Sequence, residues 1–452
     1  MSLPKSGEKA FIKTFGCQMN VYDTQRISEA LSEEGYSQTS DMHDADLIIL
    51  NTCHIREKAT EKVYSDLGRI NEIKATRLKV GKKTLVTVAG CVAQAEGAEI
   101  FKRSKGVDIV VGPQSYQSLP KILSKVKLTG QRIQEIDFQH REKFASLSHE
   151  REYSSPSAFL TIQEGCNKFC TFCVVPYTRG VEYSRSISEI EKEARSLVQK
   201  GVREVTLLGQ NVNAYHGLSE ENVQSSLAHL INRLAQIQGL ERLRYTTSHP
   251  LDMSDDLVLA HRDEAKLMPY LHLPFQSGSD KILRGMNRKH TCADYIRIIE
   301  QIRNVRSDIA LSTDVIVGFP EETDEDFEKT LELVRSIKFA HSFCFKYSPR
   351  PGTPAAALKS QVNDDVKSER LYRLQSLLQE QHEIYNNQFI GRTLPVLFEK
   401  AGAEEGIFVG RSPYFQLVLA EANYPMKGIV GQVLPVKILK SGPGSLSGII
   451  EV

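Results

Sequence analysis

Apolar residues in the first third of the chain gather in short runs: AFIKTFGC (10–17), DLIILNTC (46–53), TLVTVAGC (84–91) and VDIVVGP (107–113). Stretches with helical spacing separate them. Short strand-like runs alternating with helices predict βαβ units and a parallel, flavodoxin-like sheet over 8–130. Three of the runs end on a cysteine: Cys17, Cys53 and Cys91. Parallel strands place their carboxyl ends along one edge, where open α/β folds bind ligands. Three thiols far apart in sequence are therefore expected to meet in space. Residues 131–157 lose apolar periodicity and read as a linker.

A second alternating series follows over 158–388. Its strands are AFLTIQEGC (158–166), EVTLLGQN (204–211), RLRYTTSHP (242–250), YLHLPFQSG (270–278), ALSTDVIVGFP (310–320) and SFCFKYSPRPG (342–352). Six repeats are too few for a closed eight-stranded barrel and suit an open (β/α)6 partial TIM barrel, with chemistry at the carboxyl ends of its strands. A helix is expected over 363–388, with Leu371, Leu374, Leu377 and Leu378 at helical spacing. Four short runs broken by glycine then predict a small β-barrel over 389–452. The fold class is α/β.

Composition narrows the function. With 57 lysines and arginines against 56 acidic residues, the net charge of +1 gives no global case for nucleic acid or a membrane surface, so a basic site has to be local. RLKVGKK (77–83) and RGMNRKH (284–290) are the runs that could track an RNA backbone, although solvated faces are the commoner use of such runs. The N-terminus lacks the apolar core of a signal peptide, and no stretch approaches eighteen uninterrupted apolar residues, so a soluble cytoplasmic protein with no membrane partner is expected. Eight cysteines in that setting point to thiols used as metal ligands or nucleophiles.

The sharpest chemical signal is EGCNKFCTFC, with Cys166, Cys170 and Cys173 in one short loop after a predicted strand. Three thiolates hold three corners of an iron-sulfur cube and leave one iron open, whereas a structural zinc site needs four closed ligands. A zinc knuckle completed by His249 or His272 is the competing assignment. Cys292 and Cys344 match no cluster spacing and are expected to pack as small apolar residues.

TFGCQMNVYDT, NTCHIREKA, GCVAQ, EGCNKFCTFCVVPYTRG, LLGQNVNAY, HLPFQSGSD and YSPRPGTPA, in that order and with the C-terminal β-module, resemble the radical S-adenosylmethionine methylthiotransferases of the MiaB type over nearly the whole chain. The resemblance implies two 4Fe-4S clusters. One is held by Cys166, Cys170 and Cys173 and binds S-adenosylmethionine; the other is held by Cys17, Cys53 and Cys91. It implies transfer of a methylthio group to C2 of N6-isopentenyladenosine at position 37 of tRNA, and a C-terminal module of the TRAM kind that contacts tRNA. Partners would be that tRNA, a flavodoxin-like or ferredoxin-like electron donor and a sulfur or cluster-supply protein.

Phe172 would pack beside the cofactor adenine. Gly209, Gln210, Asn211, Asp314 and Arg179 are candidates for the rest of the cofactor site, and Gln18, Asn20 and Arg350 for substrate. Where the family usually has GFPGET this chain has GFPEET, so Glu321 stands in place of a glycine. Sibling enzymes acting on threonylcarbamoyladenosine in tRNA or on a ribosomal protein are the near alternative. An iron-sulfur electron carrier is the distant one.

Overall fold

A computed structural model describes residues 7–54, 57–138, 140–146, 151, 153, 155–422 and 428–451. The chain forms two compact units. The first comprises Met1–Arg151 with Glu164–Asn167 and Val174–Tyr183; the second comprises Glu152–Gln163, Lys168–Cys173 and Ser184–Val452.

The first unit is built on six parallel strands, β1 (Lys9–Thr14), β2 (Ser37–Gln38), β3 (Leu47–Thr52), β4 (Leu85–Gly90), β5 (Ile109–Val111) and β6 (Ile133–Glu135), in the order β2-β1-β3-β4-β5-β6. The LIILNT run of β3 is buried throughout because helices cover both faces. Leu47 and Ile49 pack with Ile27, Leu31, Leu119 and Leu123, while Ile48 and Leu50 face Val63, Leu67 and Ile70. Thr14 pairs with Asn51 and Thr52 with Gly90, so β1, β3 and β4 end at one level.

The stretch expected to be a linker departs from that expectation. Ile133–Glu135 forms the sixth strand, and the helix His140–Ser146 buries Lys143 and Phe144. A strand of three residues with one apolar side chain is too short to show a period. Residues 139, 147–150, 152 and 154 of that stretch lie outside the described residues.

The second unit contains all six expected barrel strands. They are β7 (Ser157–Thr161), then, after the two-residue strands β8 (Gln163–Glu164) and β9 (Tyr183–Ser184), β10 (Glu204–Leu208), β11 (Arg242–Thr246), β12 (Tyr270–His272), β13 (Ala310–Val317) and β14 (His341–Lys346). They run parallel as β7-β10-β11 and β12-β13-β14, and a Leu243–Leu267 bridge joins the two halves. Leu160, Leu207, Leu243, Leu271 and Leu311 line one continuous core with the outer helices. Capping boxes Ser186/Glu189, Thr291/Asp294 and Thr323/Asp326 start three of those helices, each satisfying otherwise orphaned N–H groups.

The long helix Asp364–Asn387 leads to a closed five-stranded barrel of β15 (Thr393–Ala401), β16 (Ile407–Arg411), β17 (Leu417–Glu421), β18 (Val433–Ser441) and β19 (Ser445–Ile450), ordered β15-β16-β17-β19-β18. The last strand, SLSGII, went unforeseen, since serine and glycine mask its alternation. The barrel is fastened to β11 through backbone carbonyls. Arg242 donates to Pro395 O (2.7 Å) and Arg411 O (2.9 Å), and Arg244 to Ser412 O (2.9 Å) and Pro413 O (2.8 Å).

At GFPEET, Glu321 adopts φ +68°, the left-handed conformation that glycine takes without strain. The turn keeps its shape at a cost of about 1–2 kcal/mol. It is held by Glu321 N–H donating to Ser360 O (3.0 Å) and Lys281 Nζ donating to Glu321 O (2.8 Å).

Candidate functional site

The strand ends of the first unit bring the N-terminal thiols together as their positions predict. Cys17 is the N-cap of the helix Gln18–Glu33, Cys53 follows β3 directly, and Cys91 opens the helix Cys91–Glu96. Two glycines make this approach possible. Gly16 has φ +97°, and a Cβ there would lie 2.1 Å from Cys53 Cβ; Gly90 has φ +88°, with its Cβ position 2.4 Å from Thr52 O. Any side chain at either position would occupy the space the cysteine loops share. Asn20 and Asn51 stitch these loops. Asn20 Nδ2 donates to Phe15 O (2.8 Å) and Thr52 O (2.9 Å), and Asn51 Nδ2 to Asn20 O (2.9 Å) and Thr24 Oγ1 (2.9 Å). Thr52 Oγ1 donates to Ala89 O (2.5 Å) and accepts from Val92 N–H (3.2 Å), which ties Cys91's helix to β3.

A buried ionic network backs the thiols. Arg179 Nη2 donates to Asp23 Oδ2 (2.6 Å) and Asn20 Oδ1 (3.0 Å), and its Nη1 to Glu164 Oε1 (3.1 Å). Lys143 Nζ donates to Glu164 Oε1 (2.6 Å) and Pro113 O (3.0 Å), lies 3.6 Å from Asp23 Oδ1 and sits over the Tyr116 ring. Asp23, Lys143, Glu164 and Arg179 are all at most 2 % exposed. A hydrogen bond from Cys53 lowers the Cys17 thiol to about 6, aided by Arg179 and the Asn20 N–H against the opposing effect of burial. Burial raises Cys91, which Arg179 partly offsets. A helix N-terminus and a nearby guanidinium are conditions that favour thiolate.

This placement corrects two expectations. Arg179 is committed to buried carboxylates, so it is not turned outward toward a cofactor carboxylate or a phosphate. Asn20 is fully buried and braces the loops instead of lining a substrate pocket; Gln18 beside it is half-buried.

Of the second triplet, Cys166 belongs to the first unit, and its N–H donates to Gly180 O (3.2 Å). Cys170 and Cys173 lie in the second unit, where Cys173 N–H donates to Cys170 O (2.9 Å) in a tight turn. That turn is held by the RGMNRKH run, in which Arg288 and His290 are buried while Arg284 and Lys289 are exposed. Thr171 N–H donates to Met286 O (3.1 Å), Thr171 Oγ1 to Gly285 O (2.8 Å), Asn287 Nδ2 to Phe169 O (3.0 Å) and Arg288 Nη1 to Cys170 Sγ (3.7 Å). In the other basic run Arg77 is likewise buried, bonded to Asp46 Oδ1 (2.6 Å), His43 O (2.8 Å) and Thr84 Oγ1 (2.7 Å), while Lys79, Lys82 and Lys83 are exposed.

Phe172 is half-buried against Ile282, Met286, Phe319 and Tyr347. At the end of β10 the Gln210 and Asn211 N–H groups both donate to Gln163 Oε1 (3.0 and 3.2 Å), against which Gly209 also lies. Asn211 Nδ2 donates to Asp252 Oδ2 (2.9 Å), and Lys168 in the cysteine loop takes Asp252 Oδ1 (2.8 Å). Asp314 is mid-strand, 3.5 Å from His272 Nε2. Arg350 is half-exposed near Tyr347. Cys292 and Cys344 pack against the barrel core, where burial pushes their thiols up to about 12 and about 11.

Four strand ends carry buried polar atoms with no hydrogen-bond partner: Asn211 Oδ1 after β10, Ser248 Oγ after β11, Gln276 Oε1 after β12 and Tyr347 Oη after β14. Thr247 and Gln276 hold φ of +72° and +71° there. Orphaned polar atoms and strained backbone at these strand ends fit a polar ligand that completes them. Ser248, Gln276, Tyr347 and the bracing residues Asp23, Asn51, Lys143 and Glu164 escaped sequence reasoning. Gly16 and Gly90, each directly before a cysteine, were the available signal.

His249 and His290, edge to edge near the loop, are buried and pushed down to about 2 and about 4, chiefly by desolvation and then by Arg288. An unfolded histidine takes up its proton near pH 6.5, so below that pH the unfolded chain binds protons the folded one excludes. Stability should fall on acidification from pH 6.5 to about 4.5, by about 1.4 kcal/mol per pH unit for each histidine once well below 6.5. Amide hydrogen exchange over the second unit of wild type and His249→Gln, corrected for intrinsic rates, checks this: the variant's protection should vary less with pH, and parallel pH dependences would contradict it.

Among the described residues, no three His, Cys, Asp or Glu side chains group as ligands of one metal ion. His249 Nδ1 accepts from Leu251 N–H (3.2 Å) and His272 Nδ1 meets Ser312 Oγ (3.0 Å), so each ring already uses one nitrogen inside the fold. No helix among the described residues is long and apolar enough to cross a membrane.

Two family models match parts of the chain. Residues 160–334 match the family model described as "Radical SAM superfamily". That match covers the central segment of the chain. Residues 9–112 match "Uncharacterized protein family UPF0004". The fold resembles a radical S-adenosylmethionine methyltransferase, TsrM, from Kitasatospora setae, solved with cobalamin and a [4Fe-4S] cluster, at TM-score 0.57 and 14% identity over 77% of each chain. It also resembles the cobalamin-dependent S-adenosylmethionine radical enzyme OxsB, at TM-score 0.52 and 10% identity over 82% of this chain and 56% of that one. The matched segment carries Cys166, Cys170 and Cys173, and the orphaned polar atoms lie at the ends of β10, β11, β12 and β14.

Proposed function

We propose that this chain is a methylthiotransferase that replaces the C2 hydrogen of N6-isopentenyladenosine at position 37 of tRNA with a methylthio group, using S-adenosylmethionine and two 4Fe-4S clusters. The observation that carries this is the second thiol triad. Cys17, Cys53 and Cys91 end three adjacent parallel strands in a chain whose radical SAM domain already has its own triplet. One open cluster suffices for radical formation, and a second site of three thiols is what sulfur insertion adds. The closed five-stranded barrel supports an RNA substrate, since small β-barrels recur as nucleic-acid modules.

Cys166, Cys170 and Cys173 would hold a cluster, which when bound would supply the electron for cleavage of S-adenosylmethionine. The protein's contributions are binding and orientation. Arg288 and the turn at Gly285–Asn287 hold the cysteine loop, while Asn211, Ser248, Gln276 and Tyr347 offer unfilled hydrogen bonds to the cofactor. Substituting S–CH3 for hydrogen at C2 requires a hydrogen acceptor, a methyl donor and sulfur. Two molecules of S-adenosylmethionine provide the first two, and the N-terminal thiol site is assigned the third. A flavodoxin-like or ferredoxin-like donor would supply electrons, and a cluster-supply protein the sulfur.

Mass spectrometry of tRNA nucleosides from cells lacking the protein tests the substrate. The 2-methylthio nucleoside should vanish and N6-isopentenyladenosine accumulate, with recovery on re-expression. Normal levels of the methylthiolated base would overturn the assignment, and loss of a methylthio group from threonylcarbamoyladenosine or a ribosomal protein would move it to a sibling substrate.

A further inference from the structure

Nine arginines in the described structure are buried, and eight have a carboxylate partner. Arg26 and Arg151 pair with Glu29, Arg77 with Asp46, Arg179 with Asp23, Arg185 with Glu193, Arg242 and Arg244 with Glu204, and Arg370 with Glu322. Arg288 is the exception. It is 5 % exposed and makes no ion pair among the described residues; its Nη2 donates to Pro274 O (2.7 Å), its Nε has no partner, and its Nη1 points at Cys170 Sγ, 3.7 Å away.

A guanidinium stays charged in proteins, and burying one with no counter-charge is strongly unfavourable. The ionisable groups it acts on do not provide that charge: His249 and His290 can only be neutral or positive, and burial keeps the Tyr295 phenol protonated; Lys168 nearby is a cation already paired with Asp252. The position is nonetheless firmly built, with Arg288 N–H donating to Leu283 O (2.9 Å) and the three residues before it gripping the cysteine loop. The group facing it is a thiol that becomes an anion when it ligates iron.

We infer that Arg288 is a positioning residue that supplies the counter-charge for the Cys170 thiolate and raises the reduction potential of the cluster held with Cys166 and Cys173. This rests on the radical cluster assigned above. A positive charge and an N–H···S contact both favour the more negative, reduced cluster, so removing them should make reduction harder.

The test uses the full chain carrying Cys17→Ala, Cys53→Ala and Cys91→Ala, so that only one cluster is titrated. That parent should hold about four irons and form 5′-deoxyadenosine; failure of either overturns the cluster assignment itself, separately from the role of Arg288. In the same background, EPR-monitored redox titration of Arg288→Gln should show the reduced fraction at fixed potential falling at least tenfold, about 59 mV for one electron. Arg288→Lys, which keeps the charge, should return most of it. An unchanged midpoint in Arg288→Gln at full iron content overturns the inference. Should Arg288→Gln lose its iron, Arg288→Lys decides: retained iron and a near-parental midpoint support the counter-charge role, and loss of iron there too overturns it.

Discussion

Alanine at Cys166, Cys170 and Cys173 together is expected to abolish cleavage of S-adenosylmethionine to 5′-deoxyadenosine by the anaerobically reconstituted protein, while both units stay folded. The fold does not lean on these thiols. The apolar cores of the second unit are built from strand and helix side chains, and the Cys170 turn is kept by backbone bonds to Met286 and by Asn287. Exchanging a thiol for a methyl at such sites costs about 1 kcal/mol each. Chemistry, by contrast, has no substitute for sulfur ligands, so the loss should be complete within detection. Bound iron should drop from about eight to about four per chain. The mirror-image variant, alanine at Cys17, Cys53 and Cys91, should also hold about four irons yet keep the cleavage and lose only methylthio transfer. Undiminished 5′-deoxyadenosine from the first variant would remove the triplet from catalysis. Methylthio transfer by the second would remove the N-terminal thiols.

Arg179→Ala is expected to destabilise the first unit by about 3–5 kcal/mol, the usual consequence of removing one partner from a buried charge cluster. Two carboxylates, Asp23 and Glu164, would be left with Lys143 as their remaining cation at 3.6 and 2.6 Å. Exchange with solvent cannot repay the loss, because each of these groups is at most 1 % exposed. The thiols should feel it as well, since Arg179 also bears on Cys17 and Cys91. Unfolding of a two-unit chain is not one transition. The measurement is therefore amide hydrogen exchange read separately over the helix Gln18–Glu33, where Asp23 sits, and over the outer helix Ile187–Gln199 of the second unit. Protection should collapse in the first and hold in the second. A loss under 1 kcal/mol in Gln18–Glu33 would mean the network is solvated and carries no such burden. Arg179→Lys should recover part of the stability but not the Asn20 and Glu164 bonds that the guanidinium fork makes at once.

Legibility was uneven along the chain, for identifiable reasons. Apolar runs such as LIIL in β3 show where strands are, because a strand buried on both faces must be apolar nearly throughout. The three-residue β6 and the serine-rich β19 carry too little apolar signal to register. Charged residues misled most. A run such as RGMNRKH is chemically the same whether it faces water or, as with Arg288 here, is folded under a catalytic loop; the difference lies in partners brought from elsewhere in the chain.

The sequence by itself determined the alternating architecture, the two cysteine triplets and their places after strands, since local spacing and apolar runs are properties of neighbouring residues. Tertiary structure alone decided that Arg179, beyond the Cys166 triplet, bonds both Glu164 and Asp23, that Asn20 braces a loop, and that Arg288 is, among the described residues, the buried arginine without a carboxylate partner, facing a thiol. Two of these, Arg179 with Asp23 and Arg288 with Cys170, pair polar groups more than a hundred residues apart. What selects them is the cost of burying a charge without a partner, and that cost exists only once the chain has closed around it.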